Sequence, residues 1–193
     1  GTTWSTPVAL SASGADVQGA WPAVAPNGDV YVAWVRWNPW PSGPMDIEVA
    51  RSTNGGVSYA LVANPMTGGG NPQAAAATSA CGRPALKGNI RYLPSPQIAV
   101  GPDGAVHVIY AKDPDGAGVD VVNSYYRRSA TNGASWDPEV QLNDVGTNDQ
   151  FFATLSVGAT NAVSTSWYDR RLDGANLRAS GVDRFDWYPM IRG

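Results

Sequence analysis

The 193-residue chain is 43% hydrophobic and 15% charged, which gives it enough apolar material for one globular domain with a core and sets it apart from disordered or fibrous sequences. Its formal net charge is -3, with Lys87 and Lys112 beside eleven Arg and no basic run longer than the pairs Arg127-Arg128 and Arg170-Arg171, and this argues against a nucleic-acid partner. No apolar run approaches the roughly 20 residues that span a bilayer, and a lone Cys81 with a lone His107 leaves no internal disulfide and argues against a zinc site.

In chain order, the sequence opens on "GTTW" (1–4) and a short apolar stretch, "TPVAL" (6–10). Next comes "AVAPNGDVYVAW" (23–34), in which Pro26-Asn27-Gly28 separates two β-rich runs. Pro fixes φ, Asn bonds its own backbone and Gly accepts a positive φ, so the stretch predicts a hairpin. A strand is expected at "DIEVARS" (46–52), then the turn "STNGGVSY" (52–59). From Ala60 to Ser95 an insertion containing "LVANPMTGGGNPQAAAATSACGRPALKGNI" is rich in Gly, Ala, Asn and Pro, a composition that predicts a loop with little regular structure.

The pattern then repeats. "AVGPDGAVHVIY" (99–110) and "SVGATNAVSTSW" (156–167) superpose on the first hairpin without gaps, at offsets of 76 (99 minus 23) and 57 (156 minus 99). "VVNSYYRRS" (121–129), the turn "SATNGASW" (129–136) and "PEVQLN" (138–143) complete a second unit. Alternation puts Val30, Val32 and Trp34 on one face of a strand, matched by Val106, Val108 and Tyr110, while Tyr31 and Ala33 share the opposite face with His107 and Ile109. His107 fills a slot held by Tyr31 and Ser164 in the other copies, and is read as a packing or surface residue.

Each unit thus has four antiparallel strands, and such a sheet repeated in tandem is the blade of a β-propeller. The expected fold is all-β, a partial propeller with two complete blades and parts of two others. Its expected divisions are an outer strand and link (1–20), a blade (21–65), an inserted loop (66–94), a second blade (95–143) and an incomplete third (144–193). Gly1 to Trp4 would be the end of a severed turn and Thr6–Leu10 an orphan fourth strand, so the chain is expected to belong to a larger propeller.

The two turns carry a resemblance. Ser-x-x-x-Gly-x-Ser-aromatic is similar to the Asp-box, or BNR repeat, of the sialidase superfamily, with Asn54 and Thr131 standing where the family has Asp. The resemblance implies export to a secreted, periplasmic or cell-surface location, a glycan or glycoconjugate ligand, and an active site on the rim opposite the boxes. Its other implied partners are the remaining blades or another protein subunit. Strand parity agrees on the rim, because the long irregular segments fall there and loops on a rigid scaffold are where binding concentrates.

Sialidases share three arginines that clamp the substrate carboxylate, a Tyr-Glu nucleophilic pair and an Asp acid/base. The family's Arg-Ile-Pro falls on Pro94-Ser95-Pro96, so that arginine is absent here. Arg36, Lys112 and Asp169 occupy equivalent slots at the ends of the second strands. Tyr168-Asp169-Arg170-Arg171 combines a phenol, a carboxylate and two guanidiniums, and Tyr168, Asp169 and Arg170 are the catalytic candidates; the competing reading is a salt-bridged strand end. Arg36, Trp37, Trp40 and Asp113 are the binding candidates, the tryptophans as surfaces for a sugar ring or as blade packing. Asp113 and Asp115 lack the fuller ligand set of a calcium loop, and neither metal nor cofactor is expected. Fold alone leaves open a glycosidase, a glycan-binding propeller or a structural and protein-interaction subunit.

Overall fold

The computed structural model describes residues 2–40, 43–69, 85–86, 90–91, 93–114, 122–144, 148–171 and 186–192. The first sheet runs β1 (Val17–Val24), β2 (Val30–Trp37), β3 (Met45–Ser52) and β4 (Ala60–Leu61), each antiparallel to the next, and β5 (Met66–Gly69) also pairs with β3. Two short strands, β6 (Ala85–Leu86) and β7 (Ile90–Arg91), pair with one another. The second sheet runs β8 (Gln97–Val100), β9 (Val106–Lys112), β10 (Asn123–Ser129) and β11 (Val140–Gln141). The third comprises β12 (Gln150–Val157), β13 (Val163–Asp169) and β14 (Asp186–Arg192).

The repeat seen in sequence is reproduced bond by bond. In the three hairpins, Ala25, Gly101 and Gly158 each donate their amide to the carbonyl four residues on, at 2.8 to 2.9 Å, and accept from Gly28, Gly104 and Asn161. Those three residues all have positive φ, and Asn161 takes the conformation at 62° that Gly takes in the other two. The Ser-x-x-x-Gly turns also match. Ser52 Oγ accepts from Gly56 N at 2.9 Å and Ser129 Oγ from Gly133 N at 2.8 Å, while the amides of Ser58 and Ser135 are capped by Asn54 Oδ1 and Thr131 Oγ1.

Parity puts the sheets face to face. Tyr31 and Ala33 of β2, with Ile47 and Val49 of β3, pack against Val106, Val108 and Tyr110 of β9. Ile109, on the other face of β9, packs against Ala153 and Trp167 of the third sheet. Each such fully buried aliphatic or aromatic side chain contributes about 1.5–3 kcal/mol, so the second strand of the middle sheet, buried on both faces, is the centre of the core. His107 is buried as well, its Nδ1 2.6 Å from the Tyr126 hydroxyl.

Three features differ from the sequence reading. β1 starts at Val17, four residues before the expected blade boundary. Thr6–Leu10 is not a strand; Leu10 instead packs against the cluster of Val32, Trp34 and Ala50, as Tyr59 does. Within the expected irregular insertion, Met66–Gly69 extends the first sheet because Asp46 Oδ1 accepts the Gly68 amide at 2.5 Å and Met66 is buried in the core between sheets. Cys81 and Asp115 lie outside the described residues.

Candidate site on the long-loop rim

The second strands β2, β9 and β13 end on one rim, the one away from the hairpins and the Ser-x-x-x-Gly turns. Val35, Trp37 and Met45 of the first sheet meet Ala111 of the second, Val122 just before β10 and Phe151 of the third in a single buried cluster at this rim. That cluster draws together strand ends 76 and 57 residues apart in sequence, and it places Arg36, Trp37, Asp113, Tyr168, Asp169 and Arg170 at the same end of the molecule.

In the first sheet, Arg36 bridges Asp46 and Glu48, both at 2.8 Å. Asp46 also accepts from Asn38 Nδ2 at 2.7 Å, and Glu48 from Trp34 Nε1 at 3.0 Å. Trp37 is buried and meets Trp40 edge to face, ring centroids 5.0 Å apart, while Trp40 is 37% exposed. Of the two tryptophans, only Trp40 offers a ring to solvent.

In the second sheet, Lys112 pairs with Glu139 and sits 4.8 Å over the Tyr125 ring. Buried Asp113 lines a polar cleft of about 410 Å³ with Lys112, Arg127 and Glu139. The cleft lies between the first and second sheets, with Pro65 and Met66 on its other wall.

The third sheet holds the densest cluster. Asp169 and Arg170 are both fully buried. Asp169 accepts from the Arg171 amide at 2.8 Å, from Arg171 Nε at 2.9 Å and Nη2 at 2.6 Å, and from Gln150 Nε2 at 3.3 Å. A substrate oxygen would have to displace Arg171 to reach this carboxylate. Arg171 also reaches Asp144 at 2.7 Å, and the two carboxylates push its pKa up, so it stays charged. Arg170 pairs with buried Asp149 at 3.0 Å, and its amide donates to the Asp149 carbonyl at 3.0 Å, tying the strand end to the link that precedes β12. Tyr168, by contrast, is 46% exposed and stacks on Phe151, centroids 6.0 Å apart.

Sequence reading missed one repeated device here. β1 and β12 each carry a bulge at the rim, between Gln18 and Trp21 and between Phe151 and Thr154. The bulge residues Gly19 and Phe152 both have positive φ, 69° and 49°. Ser95, at the same offsets of 76 and 57, has φ 46°, and Pro94 before it accepts the Ala111 amide at 2.9 Å as the matching pair in that sheet. Left-handed backbone is ordinary for Gly and strained for a bulky residue, by about 1–3 kcal/mol. Extending the gapless hairpin alignment four residues toward the N-terminus would have exposed the correspondence.

A separate cleft of about 360 Å³ opens on the opposite rim, between the second and third sheets, against His107, Tyr126, Val140, Leu142 and Val163. It continues the packing interface between those sheets and holds none of the candidates. Among the described residues, no group of His, Cys, Asp and Glu is arranged to hold a metal ion, and no helix is long and apolar enough to cross a membrane.

No protein-family model and no curated protein sequence matches the chain. Solved structures do. An alpha-L-arabinofuranosidase, arb93a from Fusarium graminearum, in complex with an iminosugar inhibitor, matches at TM-score 0.53 and 16% identity over 82% of this chain and 42% of its own. The Hadza microbial sialidase Hz136 matches at TM-score 0.51 and 15% identity, over 81% and 33%, and an endo-arabinase from Bacteroides thetaiotaomicron at TM-score 0.51 and 13%, over 95% and 58%. The chain is a partial β-propeller. It spans about two-fifths of the length of the arabinofuranosidase, and the likeness read from its turns to sialidase-type propellers agrees with this fold. At these identities the matches establish the fold and leave chemistry to be argued from the propeller's own rim.

Proposed function

We propose that the long-loop rim binds a glycan and that the propeller processes it as an exo-type glycoside hydrolase, outside the cytoplasm. The observation that carries this reading is the convergence of three blades on one buried cluster, Trp37 to Phe151, which fixes an exposed indole (Trp40) and an exposed phenol (Tyr168) beside fixed charges. Sugars present apolar C–H faces ringed by hydroxyls, and rigid aromatic surfaces flanked by forked guanidiniums and carboxylates suit both parts. The structural neighbours include a complex with arabinobiose, which supports a glycan as the ligand class. The Ser-x-x-x-Gly turns would then be Asp-boxes that keep their clip without its Asp.

Within this reading Tyr168 touches the ligand. Asp169 and Arg170 are positioning residues, acting through Arg171 and Asp149, and Trp37 backs Trp40. Arg36 and Asp113 hold the two neighbouring strand ends. The engagement of Asp169 by Arg171 favours a second reading, a propeller that binds glycan without hydrolysing it. The test is the full-length protein assayed on aryl α-L-arabinofuranosides, β-xylosides and sialosides, alongside glycan-array binding. Turnover on any of these supports the hydrolase, binding without turnover supports the second reading, and neither leaves a structural or protein-interaction propeller.

A further inference from the structure

The chain contains three Asn-Gly pairs, at 27–28, 54–55 and 132–133, all in exposed turns on the rim away from the candidate site. In such a pair the glycine has no side chain to obstruct its backbone nitrogen, which can attack the neighbouring asparagine amide within the same molecule. The fold treats the three nucleophiles differently. The Gly28 amide donates to the Ala25 carbonyl at 2.9 Å and the Gly133 amide to Ser129 Oγ at 2.8 Å. The Gly55 amide donates to no atom among the described residues. The electrophiles differ in the same sense. Asn54 Oδ1 accepts from the Ser58 amide at 3.0 Å and from the Ser52 hydroxyl at 2.9 Å, and Asn54 Nδ2 donates to Ser58 Oγ at 2.8 Å. Two donors on one carbonyl oxygen stabilise the negative charge that gathers there as a tetrahedral centre forms. Asn27 Oδ1 accepts one bond, from the Asp29 amide at 3.1 Å, and Asn132 sits in left-handed backbone, φ 54°.

We propose that Asn54 is a self-modification site, where the Asn54-Gly55 pair deamidates to aspartate in the folded protein. The Gly55 nitrogen bonds to Asn54 Cγ and gives its proton to solvent, while Nδ2 takes up a proton and leaves as ammonia, so that a cyclic succinimide remains. Water then adds at Cγ, the new N–Cγ bond breaks, and the Gly55 nitrogen regains a proton. The net change is amide plus water to acid plus ammonia, with no oxidant or cofactor. Water adding instead at the backbone carbonyl would give isoaspartate. The Ser58 amide and the Ser52 hydroxyl act on the oxygen of Cγ, so the turn directs hydrolysis to that carbon. The carboxylate formed keeps both donors and gains the Ser58 hydroxyl, exchanging neutral hydrogen bonds for charge-assisted ones. The first turn thereby acquires an acid that Thr131 cannot supply to the second. None of this depends on the glycan reading.

The other two pairs serve as internal controls. Full-length protein would be incubated at neutral pH, folded and in parallel in urea, and all three pairs followed by peptide mapping and mass spectrometry, with aspartate and isoaspartate distinguished by electron-transfer fragmentation. In the folded protein Asn54 is expected to convert about tenfold faster than Asn27 or Asn132 and to yield mainly aspartate. In urea the three should convert alike and yield mainly isoaspartate. Ser52→Ala deletes one donor to Oδ1 and is expected to slow the folded-state conversion roughly tenfold, a modest effect for such a donor because the turn is in water. Ser52→Thr keeps the hydroxyl and should retain the rate. Conversion at Asn54 no faster than at the control pairs, or a predominance of isoaspartate there in the folded protein, would overturn the site. So would faster conversion in Ser52→Ala, which would show that the turn restrains Asn54 and does not activate it.

Discussion

Trp136 Nε1 donates to the Ala63 carbonyl at 2.7 Å, so the aromatic that ends the second sheet's Ser-x-x-x-Gly turn fastens that sheet to the chain leaving the first. The Ala63 amide answers by donating to Gly133 at 3.0 Å, and Arg127 adds bonds to Pro65 at 2.8 Å and to the Trp136 carbonyl at 3.1 Å. The turn lies on the rim opposite the candidate site, and its bonds join the second sheet to the first. Trp136→Phe keeps most of the ring and deletes the donor, leaving the Ala63 carbonyl to solvent. The expected loss is about 1 kcal/mol, the worth of one net hydrogen bond, read as a shift of the denaturant midpoint at unchanged slope.

Two glycines with nearly the same φ separate backbone strain from steric exclusion. Gly104, at 80°, has open space where a Cβ would stand, whereas at Gly133, at 86°, a Cβ would meet Val62 Cγ2 at 2.7 Å. Gly104→Ala is expected to cost about 1 kcal/mol from the left-handed backbone alone. Gly133→Ala adds an overpacking term of about 1–3 kcal/mol across the sheet interface. Val62→Ala in the Gly133→Ala background should recover part of the second loss and none of the first, measured as a double-mutant cycle.

Burial holds the pKa of His107 below its ordinary value, and Arg128 pushes it the same way. The unfolded chain therefore binds the proton more readily than the folded one. This contribution is complete above about pH 6.5 and declines as pH falls through 6.5 toward the lower folded pKa. Stability of the unchanged protein should drop as the pH falls below about 6.5, and His107→Gln should flatten the profile there whatever it does to stability at pH 8. Depressed carboxylates such as Asp29, held by Arg51, act only in more acidic solution.

The buried pair Asp149–Arg170 makes a sharp distinction between positioning and chemistry. Removing one member of a buried pair strands the other charge and costs about 3–5 kcal/mol. Arg170→Ala is accordingly expected to lower the denaturation midpoint strongly, and any loss of glycan binding should track unfolding. Arg170→Ala that folds with undiminished stability and loses only turnover would place Arg170 against the substrate instead.

Much of the fold was legible because its signals are local. Pro-Asn-Gly and Pro-Asp-Gly write the hairpin into the chain, and strict alternation on either side of them sorts Tyr31 from Val32, and Val108 from Ile109, onto opposite faces. The rim followed from parity alone. Burial at the rim was not legible, because adjacency in "YDRR" says nothing about direction. Tyr168 points to solvent while Asp169 and Arg170 turn inward to Arg171 and Asp149, residues whose own places depend on the link between sheets. Phe152 escaped for a related reason: a phenylalanine in a left-handed bulge contradicts its own preference, and only the corresponding Gly19 and Ser95 make the position recognisable. Pairing of β5 escaped because "MTGGG" has the composition of a loop, and its strand geometry comes from Asp46 capturing the Gly68 amide.

The central claim is that a glycan occupies the rim where β2, β9 and β13 end. Hydrogen–deuterium exchange of the full-length protein, with and without a saturating oligosaccharide chosen from the array, tests it most directly. New protection is expected in segments 36–40, 111–114, 149–152 and 168–171, with the hairpins at 26–28, 102–104 and 159–161 and the turns at 52–59 and 129–136 unchanged. Protection confined to those hairpins and turns, or a bound oligosaccharide that protects neither set, would contradict it.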